Sequence, residues 1–162
     1  MALGVIALVP QIRRARPEEA AFLTELTVRS KAYWGYDDSF MERARADLEF
    51  HANKFLPDFH VYILEAEDGP LGYCSLISVD SNTVELHDLF IDPRHIGKGY
   101  GKKLWDYAVN LARSLGFSRL ILTADPNAKP FYAHQGALRI GEKPSPVGSN
   151  RSLPVMEYIL AT

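Results

Sequence analysis

Apolar positions change their spacing several times along the chain, and each change marks an element. Gln11 to Ala15 can form a short strand. Pro17 then suits the first turn of a helix, with Glu18 and Glu19 at its positive dipole end. Phe22, Leu23 and Leu26 give that helix a buried stripe. Tyr33-Trp34-Gly35-Tyr36 breaks the period, and Ser39 with Glu42 reads as a capping box for a second helix that buries Phe40, Met41, Ala44 and Leu48. From Phe59 the period becomes two. Phe59–Glu65, Leu71–Val79 and Thr83–Ile91 read as strands, with turns at Asp68-Gly69 and Ser81-Asn82. The connections are short, so an antiparallel meander is expected.

A polar, glycine-rich loop follows, then a long helix from about Lys102 to Leu115, with Leu104, Ala108, Leu111, Ala112 and Leu115 on its apolar face and Gly116 as its cap. Arg119 to Thr123 reads as a strand, Ala128 to His134 as a short helix and Leu138 to Gly141 as a strand. Lys143 to Ser152 is a Pro/Gly/Ser loop, and Leu153 to Leu160 a closing strand. The expected fold is mixed α/β, in one domain over residues 1–162.

Composition narrows the classes of function. The 162 residues are 47% hydrophobic and 23% charged, which is ordinary for a globular chain. Eighteen Lys and Arg against twenty Asp and Glu leave a net charge of −2, which argues against a nucleic-acid partner. The apolar start, Met1 to Pro10, carries no Lys or Arg and is shorter than the ~20 residues that span a bilayer; it reads as an extension feeding the first strand, not a signal peptide or a membrane segment. Cys74 is the only cysteine and reads as a buried strand thiol, which fits a cytoplasmic setting. His51, His60, His95 and His134 show no ligand spacing, so no metal is expected.

Gly97-Lys98-Gly99-Tyr100-Gly101-Lys102-Lys103 carries the most information. Alternating glycines allow tight turning and close backbone approach, and the loop delivers into a helix N-terminus that favours an anion. Three lysines at that positive end are unfavourable, by about 0.3–1 kcal/mol each, unless an anion sits among them. A phosphate or pyrophosphate meets that condition. A P-loop is excluded: Ile96 stands where its first glycine belongs, and Lys103 where Ser or Thr belongs. A dinucleotide loop fits poorly, because the spacing is Gly-x-Gly-x-Gly and the preceding strands form a meander.

With these residues the chain resembles the GNAT superfamily of N-acetyltransferases. That family's Arg/Gln-x-x-Gly-x-Gly/Ala motif reads here Ile96-Gly97-Lys98-Gly99-Tyr100-Gly101, with Ile96 departing from the usual side chain. Ile12 to Pro17 resembles the opening strand and helix start, and Gly72-Tyr73 the third strand. Asn127-Ala128, Phe131-Tyr132 and Gly136-Ala137 resemble the later helix motif; counting back from Tyr132 places Asp125 at the family's Asn position. The resemblance covers nearly the whole chain. It implies a mostly antiparallel twisted sheet, helices on both faces, and a V-shaped opening between two central parallel strands. Acetyl-CoA would lie there as cosubstrate. Its pantetheine would pair with Leu89, Phe90 and Ile91, and its pyrophosphate would sit on Gly97 through Lys102, with Asp125 and Asn127 nearby.

Acetyl transfer to an amine needs a base for the ammonium, an acid for the thiolate and a donor for the oxyanion. Glu85, eleven residues before Ile96, is the first choice of base, because histone-type members of the family carry a glutamate at that offset. Strict alternation would put Glu85, His87 and Leu89 on one face and Leu86, Asp88 and Phe90 on the other, which makes His87 the alternative base. The place of Tyr132 in its Phe-Tyr pair is the family's place for the general acid. Tyr33, Trp34 and Tyr36 are the candidates for an acceptor wall. The resemblance implies a small-molecule, peptide or protein amine as acceptor, and it admits a homodimer. A non-catalytic acyl-CoA sensor on the same fold, and a nucleotide-cofactor oxidoreductase, are the competing readings.

Overall fold

In a computed structural model of the chain, residues 10–49, 55, 57–148 and 150–160 are described. The expected extension at residues 1–9, and His51, lie outside them. A seven-stranded sheet runs in the order β1 (Gln11–Arg14), β2 (Phe59–Ala66), β3 (Gly69–Ser78), β4 (Thr83–Ile91), β5 (Arg119–Thr123), β7 (Ser152–Ile159), β6 (Leu138–Pro144). All neighbours are antiparallel except β4 and β5, which run parallel. The helices are α1 (Ala20–Ala32), α2 (Asp38–Leu48), α3 (Tyr100–Ser114) and α4 (Lys129–His134).

Two apolar layers sandwich the sheet. On one face Leu104, Trp105, Ala108 and Ala112 of α3 and Tyr132 of α4 pack on Leu76, Val84, Leu86 and Leu120. On the other, Ala20, Leu23 and Leu26 of α1 pack on Phe59, Val61, Ile63 and Tyr73. Full burial of such a side chain stabilises the fold by about 1.5–3 kcal/mol. A smaller cluster joins Phe40 and Ala44 of α2 to Val147 of the β6–β7 loop.

Several expectations are corrected. Phe22 is exposed; of the three expected stripe residues of α1, Leu23 and Leu26 meet the sheet. Asp37, not Ser39, caps α2: its carboxylate accepts the Phe40 amide at 2.7 Å. The helix after the glycine loop begins at Tyr100, so Gly101 and Lys102 belong to its first turn. Its buried face includes Trp105 and Val109, whereas Leu115 is exposed at its end. Strand β6 runs on to Pro144 and shortens the expected loop. All of β6 is exposed, as the outermost strand of the sheet.

The decisive irregularity is in β4. Ser75 pairs with Asp88 and Leu76 with Leu86, so the register steps over His87 in a β-bulge. One extra residue reverses the alternation. Leu86 and Leu89 both join the α3 layer, while Phe90 packs against Tyr73 on the α1 side. Leu89 therefore does not share a face with Glu85, contrary to strict alternation.

Candidate active site

The parallel pair is short. Only Thr83, Val84 and Glu85 pair with Arg119, Leu120 and Ile121; β4 then continues six residues to Ile91, while β5, paired with β7 along its whole length, ends at Thr123. The strands part, and the gap is a cleft of about 470 Å³. Leu86, His87 and Leu89–Ile91 line one wall, and Leu122–Asp125 the other. Past Glu85, β4 pairs only with β3, so the main-chain groups of its other edge are directed into the cleft.

The glycine loop closes one end. Gly97, Gly99, Tyr100, Gly101 and Lys102 line the cleft with Ile96, whereas Lys98 lies just outside, against His95. Gly97 and Gly99 hold φ of +85° and +84°, a left-handed conformation that glycine adopts without penalty, and an added Cβ at either would meet nothing within 4 Å. No side chain caps α3, so its first-turn amides are free to receive an anion. Asp92 anchors the loop: its buried carboxylate accepts from the Arg94 amide, the Arg94 guanidinium and Arg29 of α1. Those donors hold Asp92 far below the usual carboxylate range. Open glycines, free amides and the lysines suit the pyrophosphate of an acyl carrier.

The candidate acid and base flank the gap. Tyr132 is buried against Trp105, with ring centroids 5.8 Å apart, and lines the cleft. Burial holds its phenol well above the ordinary value, so it stays protonated. Its hydroxyl makes no hydrogen bond to the described residues and opens onto the cleft. His87 lines the opposite wall, edge-on to Phe59 at 5.6 Å. Glu85 does not line the cleft; its Oε2 lies 3.1 Å from His87 Nδ1. The hydrogen bond from His87 lowers the pKa of Glu85, outweighing burial, which opposes it.

Of the three aromatics in the α1–α2 loop, only Trp34 lines the cleft. Tyr33 packs edge-on against Trp34 at 5.5 Å and is 52% exposed. Tyr36 turns inward, stacks on Phe40 at 4.2 Å and donates to Asp125 Oδ2 at 2.8 Å. Asp125 also pairs with Lys31 and accepts the Asn127 amide at 2.8 Å. Asp125 and Asn127 thus lie at the end of the cleft beside α1, bonded within the protein. Lys31 and Arg151, the other members of this group, carry no local sequence signal: 94 and 26 residues separate them from Asp125.

A splayed parallel pair, a bulge beside it and a glycine loop feeding a helix define a class, the acyl-CoA-dependent transferases. Residues 21–137 match the acetyltransferase (GNAT) family. A peptidyl-lysine N-acetyltransferase, YjaB of Salmonella typhimurium, is 31% identical over 126 residues, covering 77% of this chain and 81% of that protein. A GCN5-related N-acetyltransferase from Rhodopseudomonas palustris superposes with a TM-score of 0.79 at 24% identity, over 96% of this chain and 98% of that one. The PaiA N-acetyltransferase of Thermoplasma acidophilum, solved with coenzyme A, gives 0.77 at 19% identity, over 94% and 99%. The chain belongs to the GNAT family and is an acetyl-CoA-dependent N-acetyltransferase.

Proposed function

We propose that this enzyme acetylates a primary amine by direct attack within a ternary complex, with His87 as the base and Tyr132 as the acid. The carrying observation is the pair of side chains across the splayed strands: an imidazole on β4 and an unpartnered, protonated phenol on α4. His87 takes the ammonium proton, directly or through one water, and the free amine attacks the thioester carbonyl. Main-chain donors of the splayed β4 edge face the developing oxyanion. The C–S bond breaks, Tyr132 gives its proton to the departing thiolate, and the tyrosinate takes the surplus proton of the attacking nitrogen. Glu85 is a positioning residue that holds the imidazole through Nδ1. Leu89, Phe90 and Ile91 would border the pantetheine arm, Gly97 to Lys102 the pyrophosphate, and Trp34 the acceptor. The named activity of the Salmonella relative favours a lysine side chain of a peptide as the acceptor.

Calorimetric titration with acetyl-CoA, followed by thiol-release assays over a panel of primary amines and lysine peptides, tests this reading. Binding followed by amine-dependent thiol release is the expected result. Binding without transfer to any amine would establish the sensor reading instead.

A further inference from the structure

The group around Asp125, at the end of the cleft beside Lys31, has an unequal charge count. Lys31, from the last turn of α1, and Arg151, from the β6–β7 loop, share one carboxylate, that of Asp125. All three side chains are largely buried, at 13%, 20% and 12% exposure. Asp125 is fully engaged: Oδ2 receives Lys31, Tyr36 and Arg151, and Oδ1 receives the Asn127 amide and side chain. The guanidinium of Arg151 also bonds the Tyr36 hydroxyl and lies 5.0 Å from the ring centroids of Tyr36 and Phe40. Two cations against one anion leave one positive charge over, in a setting where an uncompensated charge is costly. Of the two cations, Lys31 lines the cleft and Arg151 does not. An ammonium has three donors, and Asp125 is the one hydrogen-bond acceptor recorded for Lys31 among the described residues.

We propose that Lys31 binds a carboxylate of the acceptor, with Arg151 holding Asp125 so that the charge of Lys31 is left for the substrate. This rests on the acetyl-transfer reading and adds the class of acceptor: an amine that carries a carboxylate close by. The carboxylate belongs either to a free amino acid or to an acidic residue beside a target lysine. Lys31 contacts the substrate, and Arg151 is a positioning residue.

The test measures binding of product-like probes to the enzyme with coenzyme A, so it needs no turnover. Calorimetry compares N-acetylglycine with N-acetylglycinamide. It also compares two short peptides in which Nε-acetyl-lysine is followed by Glu or by Gln. The carboxylate member of one pair is expected to bind about tenfold tighter, the order of one charge-assisted hydrogen bond. The pair that discriminates identifies the source. The margin should shrink as salt rises. In Lys31→Met and Arg151→Gln it should fall below twofold while coenzyme A affinity is kept, and Arg45→Gln, at an exposed pair with Glu25, should keep it. Equal binding within both pairs for the wild type, or a margin that survives Lys31→Met, overturns the proposal. The wild-type comparison decides even if a variant fails to fold. Equal binding combined with good amine acetylation would overturn this inference alone and leave the transferase reading standing.

Discussion

At the residue scale, the roles proposed for Glu85 and His87 rest on where their atoms lie. Glu85 is held in its ionised form below the ordinary carboxylate range, which makes it a weaker base, and its carboxylate points at the imidazole instead of the cleft. His87→Gln should therefore lower kcat/KM by ~10²-fold or more. Glu85→Gln, which only releases Nδ1, should cost about tenfold. Equal losses in steady-state assays would return the base role to Glu85. Tyr132→Phe removes the proton donor and keeps the ring against Trp105. Its kcat should fall by about 10²-fold with acetyl-CoA affinity within twofold, by kinetics and titration in parallel. An unchanged kcat would remove Tyr132 from the mechanism.

At the element scale, two glycines set the cleft for different reasons. Gly99 caps α3 in the left-handed region, where any other residue costs about 1–2 kcal/mol. The space around it is open, so Gly99→Ala acts through backbone strain alone. It should raise the acetyl-CoA Kd about tenfold and lower Tm by about 2–8 °C. Gly72 is the opposite case. A Cβ there would lie 2.5 Å from the Phe90 carbonyl oxygen, so β3 and β4 must separate along the cleft wall. Gly72→Ala should lower Tm by about 3–10 °C, as overpacking by roughly 1–3 kcal/mol does in a domain of this length. A wild-type melting curve would show that the strands tolerate a methyl group.

At the scale of the whole molecule, ion pairs tie loops to the core and give the fold an acid limit. Glu19 is held at about 2 by the Arg13 guanidinium, which bonds both its oxygens at 2.9 and 2.8 Å. Asp92, Glu85 and Asp125 are lowered as well. A carboxylate lowered by folding stabilises the native state above its unfolded value near 4, and the contribution disappears as pH falls through the folded value. Tm should thus fall steadily from about pH 5 to pH 3. In Glu19→Gln it should start lower and fall less steeply. A flat Tm over that range would show that these pairs do not stabilise the fold.

Much of this architecture was legible in the chain. Period-two runs mark the meander, Asp68-Gly69 and Ser81-Asn82 its turns, and the glycine run a helix start. These are local signals, because a turn or a helix start is decided within a few residues. The sequence pattern places the first turn of α3 and the cap of α2 two residues too late, where caps compete. The bulge at His87 left no mark in β4 itself, since register depends on the partner strand. That single extra residue decided which β4 side chains face α1 and which face α3. The group of Lys31, Tyr36, Asp125 and Arg151 was equally hidden. Its members come from four separate segments, and only the packing of α1, the α2 entry and the β6–β7 loop over the end of β5 brings their charges together. The sequence by itself determined the elements and the glycine loop that opens α3. Tertiary structure decided which residues meet around Asp125 and across the splayed strands, because charge balance and strand register are properties of contacts between distant segments.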